Sequence, residues 1–207
     1  SCASQYGLLL YETAKIKAIF QEADALCRPK LAELQRQWHI APWNVDAGSY
    51  FVEFPELHLA IQAFVGSIKT FLDLIVQLIP AKGIVSQQIH GFHKKGDEVG
   101  GKPLVALRKN TKKELHDVVV KLCDMISEHK TAWMDQAVNA RDFFLHPEKG
   151  FYHVMFSLEL QVNSGKLQLV RVAKPSINDE AFDTYAEKTT EQIGRFSEEL
   201  LKILRNV

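Results

Sequence analysis

The chain has 207 residues, of which 46% are hydrophobic and 24% charged, a composition typical of one globular domain that can bury its own core. Its 25 basic and 25 acidic residues cancel, so any binding to nucleic acid or anionic lipid has to be local. Three widely spaced cysteines with no C-x-x-C pair argue against a disulfide framework and favour a reducing, cytoplasmic setting.

The first forty residues show a helical pattern of apolar positions. These positions step by four and three residues: Leu9, Thr13, Ile16, Phe20, Ala23 and Cys27. The pattern predicts a first helix up to Arg28-Pro29. A short continuation of it restarts with Pro29 in its first turn. The apolar run from Leu8 to Tyr11 is too short for a signal peptide or a membrane span, so we expect no membrane association.

A second helix is predicted to begin at Pro55 and to end before Pro80, because proline suits a first helical turn and interrupts a later one. Its apolar positions keep the same rhythm: Leu57, Ile61, Phe64, Ile68, Phe71, Ile75 and Leu78. An aromatic-rich stretch leads into it, containing Trp38, Trp43, Tyr50, Phe51 and Phe54. We interpret that stretch as a core lid or a dimer surface rather than a base-stacking platform.

The segment from about 80 to 109 has no regular period, and we expect a flexible loop. Within it, "GDEVGGKP" resembles a phosphate-binding loop, but Pro103 stands where such a loop has a magnesium-binding hydroxyl, and no apolar strand precedes it. His90 and His93 have a spacing that can bind metal, without a cluster of cysteines or carboxylates to complete a site. We therefore expect neither a nucleotide cofactor nor a metal.

Two further helices are predicted in the second half of the chain. The third carries Leu115, Val119, Leu122, Ile126, His129 and Trp133, with Asn110 or Thr111 as its cap. The fourth carries Phe182, Ala186, Thr189, Ile193, Phe196, Leu200 and Ile203, with Asn178 or Asp179 as its cap. A repeat averaging about 3.5 residues keeps an apolar stripe against a partner only when helices cross at shallow angles. The pattern predicts an antiparallel four-helix bundle.

Between the third and fourth helices the apolar period changes to two, over about 151–174. In "FYHVMFSLELQV" one side is apolar: Val154, Phe156, Leu158, Leu160 and Val162. "NSGK" supplies a turn, and "LQLVRV" returns, which predicts a β-hairpin. Two strands alone are marginally stable, so the apolar face has to lie on the bundle or on a second subunit. We predict a mainly α single domain over 1–207 with this hairpin inserted.

The end of the third helix carries the strongest candidate site, in "NARDFFLHPEKG". Asn139, Asp142 and His146 are spaced for one helix face, and the long side chain of Arg141 can reach the same helix end because Pro147 disfavours helical geometry at residue 146. Arg141 suits a phosphate, His146 a proton transfer, and Asp142 the orientation of the imidazole. Basic residues near a helix C-terminus also occur without any function, because the helix dipole favours them.

His129 lies on the apolar stripe of the third helix, between Ile126 and Trp133. Burial of an imidazole requires hydrogen-bond partners, so a satisfied core or interface histidine is the simpler interpretation. The alternative is a second histidine of the same cleft, since position 129 lies about three turns before Arg141.

"RDFFLHP" resembles the Arg-[Asn/Asp]-x-x-x-His motif of the HEPN superfamily, which consists of small helical-bundle domains, many of them metal-independent RNases. The resemblance covers six or seven of the 207 residues, at the end of a long bundle helix as in that family. It implies that His146 acts as base or acid on an RNA 2′-hydroxyl and that Arg141 stabilises the phosphorane charge. Asp142 would be a supporting residue.

The resemblance also implies a homodimer in which two motifs share a cleft, and a stress-response or defence role. A regulatory partner protein is a further implication of it. Members paired with a nucleotidyltransferase carry tyrosine two residues after the histidine, whereas this chain has Glu148. The alternatives are a non-catalytic module of the same fold that binds a partner protein, RNA or a nucleotide, and a purely structural helical oligomer.

Overall fold

The protein is mainly helical with a small antiparallel sheet. The computed structural model describes residues 1–40, 48–92, 101–110, 112–145, 154–177, 179–205 and 207. The helices are α1 Cys2–Gln21, α2 Ala23–Ile40, α3 Pro55–Ile75, α4 Leu78–Ala81, α5 Gly101–Arg108, α6 His116–His129, α7 Asp135–Leu145 and α8 Phe182–Leu204. The strands are β1 Ser49–Glu53, β2 Met155–Asn163, β3 Lys166–Ala173, β4 Ser176–Ile177 and β5 Glu180–Ala181.

The break between the first two helices lies at Glu22, where the backbone leaves helical geometry with φ −92° and ψ 5°. The expected break at Arg28-Pro29 is therefore wrong, and Pro29 lies inside α2. A proline there removes one hydrogen bond of the helix. Burial of Cys27 and Leu34 on either side of it provides a reason for the helix to continue.

Helix α3 is the central core helix. Pro55 occupies its first turn, as predicted, and residues on several of its sides are buried, because α3 packs against both α1 and α7. It ends at Ile75 rather than at Pro80, which lies in the short helix α4. The stretch Pro55–Ala81 is apolar enough to cross a membrane by composition, but 56% of its most apolar window is buried within the protein, as expected for a core helix.

The remaining long helices pack around this centre. Helix α1 contacts α3 and α8, and α6 contacts α5 and α8. A buried hydrogen bond of 2.9 Å joins the hydroxyls of Thr13 and Thr190 across the α1–α8 contact. Phe182 at the start of α8 meets Phe64 of α3 edge to face, with ring centroids 6.3 Å apart.

Two of the predicted helix caps are not present. Helix α8 follows Ala181, which makes no side-chain capping bond, and Asp179 lies in the turn between β4 and β5 with φ 64°. The Asn110 side chain accepts a hydrogen bond from the amide of Lys112 at 2.8 Å, and a 3₁₀ turn at Lys113–Leu115 separates it from α6. Thr111 and Asn178 lie outside the described residues.

The predicted hairpin is present as β2 and β3, joined at Ser164 and Gly165, which both have positive φ. Strand β1 pairs with the other edge of β2 and makes a three-stranded sheet in the order β1-β2-β3. This strand lies in the aromatic-rich stretch that we interpret from the sequence as a core lid or a dimer surface, because five residues are too few to show the alternation of a strand. The apolar face packs on α2, whereas Val162, near the turn, is 43% exposed.

The range 80–109, expected to be a flexible loop, contains the helix α5 and an ordered stretch after α4. The side chains of Ile84, Ile89 and Phe92 are buried there. Asp73 holds the end of this stretch, because its carboxylate accepts a hydrogen bond from the Phe92 amide at 2.9 Å and pairs with Lys69. Residues 93–100, which include His93 and most of "GDEVGGKP", lie outside the described residues.

Candidate functional site

The candidate site lies at the end of a helical run that a π-helical turn interrupts. Helix α6 passes into a π-helical turn at Lys130–Met134 and then into α7, which ends at Leu145. An ion pair of 3.3 Å between Lys130 and Asp135 crosses the π turn. Because a π turn takes one extra residue, it rotates everything after it by about 100° relative to an unbroken α-helix.

Arg141 lies in the last turns of α7, on the side that packs toward the core. Its Nη1 donates to Asp142 Oδ1 at 2.8 Å, and the two side chains are 31% and 37% exposed. The Nε atom of Arg141 is buried and has no hydrogen-bond partner among the described residues. A buried donor without an acceptor is costly, so this guanidinium has binding capacity that the described part of the chain does not use.

The other residues of the motif are only partly visible. His146 directly follows the last residue of α7 and lies outside the described residues. Asn139 is exposed, three residues before Asp142 on the same helix face. The structure therefore brings Arg141 and Asp142 together and shows Asn139 nearby at the surface.

His129 is held between two helices, and both of its ring nitrogens have partners. The Trp133 indole N–H donates to His129 Nδ1 at 2.9 Å, and His129 Nε2 lies 3.0 Å from Glu199 Oε2 of α8. The indole bond requires Nδ1 to be unprotonated, so Nε2 carries the hydrogen that Glu199 accepts. The Phe196 ring packs against the imidazole at 5.2 Å between centroids. This is the hydrogen-bonded interface histidine of the simpler interpretation.

Two buried titratable groups were not found from the sequence. Glu12 on α1 is 7% exposed, with Oε2 buried and unpartnered among the described residues. Burial raises the pKa of its carboxyl, and Lys15 offsets part of that rise. Burial also raises the pKa of Tyr185 to about 12, with a smaller opposing effect from Thr189. Glu12 follows Leu9 by three positions and precedes Ile16 by four, so the helical period contained the signal.

The described residues contain no group of three or more His, Cys, Asp or Glu side chains that could hold a metal ion. Among the cysteines, Cys27 is buried, and Cys2 and Cys123 are half-buried, all as free thiols. Burial raises the pKa of the Cys27 and Cys123 thiols, which makes them poor nucleophiles.

No protein-family model, curated protein or solved structure matches the chain. The features of the chain that point to a function are therefore the motif and the geometry of α7.

Proposed function

We propose that the protein is a HEPN-like domain that cleaves RNA without metal, using Arg141 and His146. In this proposal the long helices form an antiparallel four-helix bundle, and the hairpin of β2 and β3 is an insertion between its third and fourth helices. The contacts of α1 with α3 and α8, of α3 with α7, and of α6 with α8 support that arrangement.

The observation that carries the proposal is the state of Arg141. An arginine that only completes a helix end normally extends into water, where all its donors are hydrated. Here Nε is buried without a partner among the described residues, while Nη1 is held by Asp142. The remaining donors suit a bidentate contact with a phosphate, and the imidazole of His146, five residues later in the sequence, suits a proton transfer.

The reaction that these groups support is attack of a ribose 2′-hydroxyl on the adjacent phosphodiester. His146 takes the proton of the 2′-hydroxyl or protonates the leaving 5′-oxygen, and Arg141 stabilises the negative charge that develops on the phosphorane. The products are a 2′,3′-cyclic phosphate and a 5′-hydroxyl. Asp142 restrains the guanidinium through its ion pair. A homodimer would bring two such motifs to one cleft and supply a second histidine for the other proton.

A second candidate function is RNA or protein binding without cleavage. It is favoured by the pairing of Arg141 with Asp142, which neutralises part of the charge that a phosphorane would need. In this case Arg141 would contribute to affinity, and His146 would be dispensable. Both candidates fit a cytoplasmic protein, and a defence or stress-response role is compatible with either.

The test is incubation of the purified chain with RNA in excess chelator, next to His146→Ala and Arg141→Ala. The matched controls are His116→Ala and Arg195→Ala, which remove the same side chains at exposed positions. We expect cyclic-phosphate ends from the wild type and both controls, with at least a 100-fold lower rate in the two motif variants. Binding without cleavage, weakened only by Arg141→Ala, would select the second candidate. Equal cleavage by all five proteins would exclude Arg141 and His146 from the reaction, and neither cleavage nor binding by any of them would leave a purely structural role.

A further inference from the structure

A concentration of positive charge lies far from the motif, on a protein whose total charge is zero. The residue ranges 74–92 and 101–113 contain no acidic residue. They contain six exposed cations, which we call the basic surface: Lys82, Lys102, Arg108, Lys109, Lys112 and Lys113. The rest of the chain therefore has a net negative charge, opposite in sign to the net charge of this surface.

Hydrogen bonds join the two ranges into one surface. The ammonium group of Lys112 donates to the Gly83 carbonyl at 3.1 Å, and the Asn110 side chain donates to the Ile84 carbonyl. These contacts bring Lys82 close to Lys112, although thirty positions separate them in sequence. The buried side chain of Ile84 anchors the same loop to the core.

Helical geometry extends the surface along α5. The Lys109 amide still donates to the Val105 carbonyl at 3.2 Å, so the helical path reaches residue 109. Lys102 and Lys109 are seven residues apart and lie on nearly the same face, about 10 Å from each other along the axis. Asp73, at one edge of the surface, is engaged by Lys69 and the Phe92 amide. Glu114, at the other edge, lies in the 3₁₀ turn that also contains Lys113.

We propose that the basic surface binds the sugar–phosphate backbone of RNA, at a distance from the cleavage motif. The cations are exposed and spread along an extended surface, and Lys82 and Lys102 line separate cavities. That arrangement suits an extended polyanion rather than a single small phosphate. The choice of RNA over another polyanion rests on the proposed nuclease function.

The geometry gives this proposal a length requirement. The basic surface joins the start of α6 near His116, and Arg141 lies 25 residues further along the same helical run, about 37 Å at 1.5 Å per residue. At about 3.4 Å per stacked nucleotide, one stacked strand needs about eleven nucleotides to reach both places. Stacked strands shorter than this cannot use the basic surface and the motif of one protomer together.

The experiment compares wild type with the triple variant Lys82→Gln, Lys109→Gln, Lys113→Gln, which spares the hydrogen bonds of Lys112 and Asn110. The control variant, Arg36→Gln, Lys166→Gln, Arg195→Gln, removes the same charge from exposed positions elsewhere. Fluorescence anisotropy measures binding of an unstructured 30-nucleotide RNA over a series of salt concentrations. We expect at least tenfold weaker binding at low salt for the triple variant and a log–log salt slope about two units shallower, since each phosphate contact contributes about 0.7.

Cleavage assays separate this proposal from the proposed function. For the 30-nucleotide RNA the triple variant should show a raised KM with an unchanged kcat, and for a four-nucleotide RNA it should match the wild type. Binding by the triple variant equal to that of the control overturns the basic surface and leaves the nuclease standing. Binding of RNA by the wild type without cleavage overturns the nuclease and leaves the surface standing. Binding only to vesicles containing phosphatidylserine, and not to RNA, overturns the RNA assignment.

Discussion

His129 and Arg141 lie on the same helical run, twelve residues apart, and the protein treats them in opposite ways. His129 is enclosed by Trp133, Glu199 and Phe196, and each ring nitrogen has a partner. Arg141 is less enclosed but carries a buried Nε without a partner in the described part of the chain. A satisfied polar group contributes to folding, whereas an unsatisfied one has hydrogen-bonding capacity left for a ligand.

The difference also shows why residue type alone is a poor guide to a site. A histidine is the residue most often associated with catalysis near neutral pH, yet His129 has its donor and acceptor both engaged within the fold. An arginine near the end of a helix is common. Arg141 is distinguished by its buried Nε, which has no hydrogen-bond partner among the described residues.

The largest expected effect is on cleavage by the variant Arg141→Lys. Lysine keeps the charge but cannot present two parallel donors or replace Nε, so we expect the rate to fall about 100-fold or more. The melting temperature should stay within a few degrees of the wild type, because the ion pair with Asp142 can re-form. Cleavage at the wild-type rate by this variant would show that only the charge of residue 141 matters. The unpartnered Nε of Arg141 would then have no part in the reaction, and the contrast with His129 would not identify a site.

A medium effect is expected on stability from His129→Phe. The variant leaves the indole N–H of Trp133, a residue only 4% exposed, without an acceptor, which should lower the free energy of unfolding by about 1–3 kcal/mol. Adding Trp133→Phe removes the stranded donor and should recover part of the loss, measured by urea denaturation. Loss of cleavage with unchanged stability would instead place His129 in the cleft.

The smallest effect is expected from Glu12→Gln, which tests another buried group without a hydrogen-bond partner among the described residues. Because burial raises the pKa of Glu12, the native state disfavours its ionised form, and stability falls as pH rises through that pKa. The Gln variant should be more stable at pH 7 by about 1 kcal/mol, with solvent screening keeping the gain below that of a fully buried charge. The gap should close as pH falls below the ordinary glutamate range. A constant gap from pH 3 to 8 would contradict this origin.

The long helices and the hairpin were predictable because their signals are local. Apolar residues repeat every three to four positions along α1, α3, α6 and α8, and every two positions along β2. The helix ends were predicted less well. Pro29 and Pro80 lie inside helices, because packing of neighbouring apolar residues outweighs the preference of a single proline.

Strand β1 and helix α5 were not predicted. Strand β1 depends on pairing with β2, more than a hundred residues away in sequence. Its five residues are too few to show the two-residue apolar period of a strand. Helix α5 begins with glycine, which is unfavourable in helices, and its contacts with α6 provide the compensation. Pro103 lies in the first turn of α5, where proline is tolerated. Such long-range contacts leave no local pattern.

At the site, the sequence alone placed Arg141 and Asp142 near a helix end, since spacing and composition act within a few residues. Only the tertiary structure decided that His129 is satisfied by Glu199, that Arg141 Nε is buried, and that Lys82 joins the cations of 109–113. Burial and hydrogen-bond partners are properties of which helices meet. Residues seventy positions apart acquire them only when the chain folds.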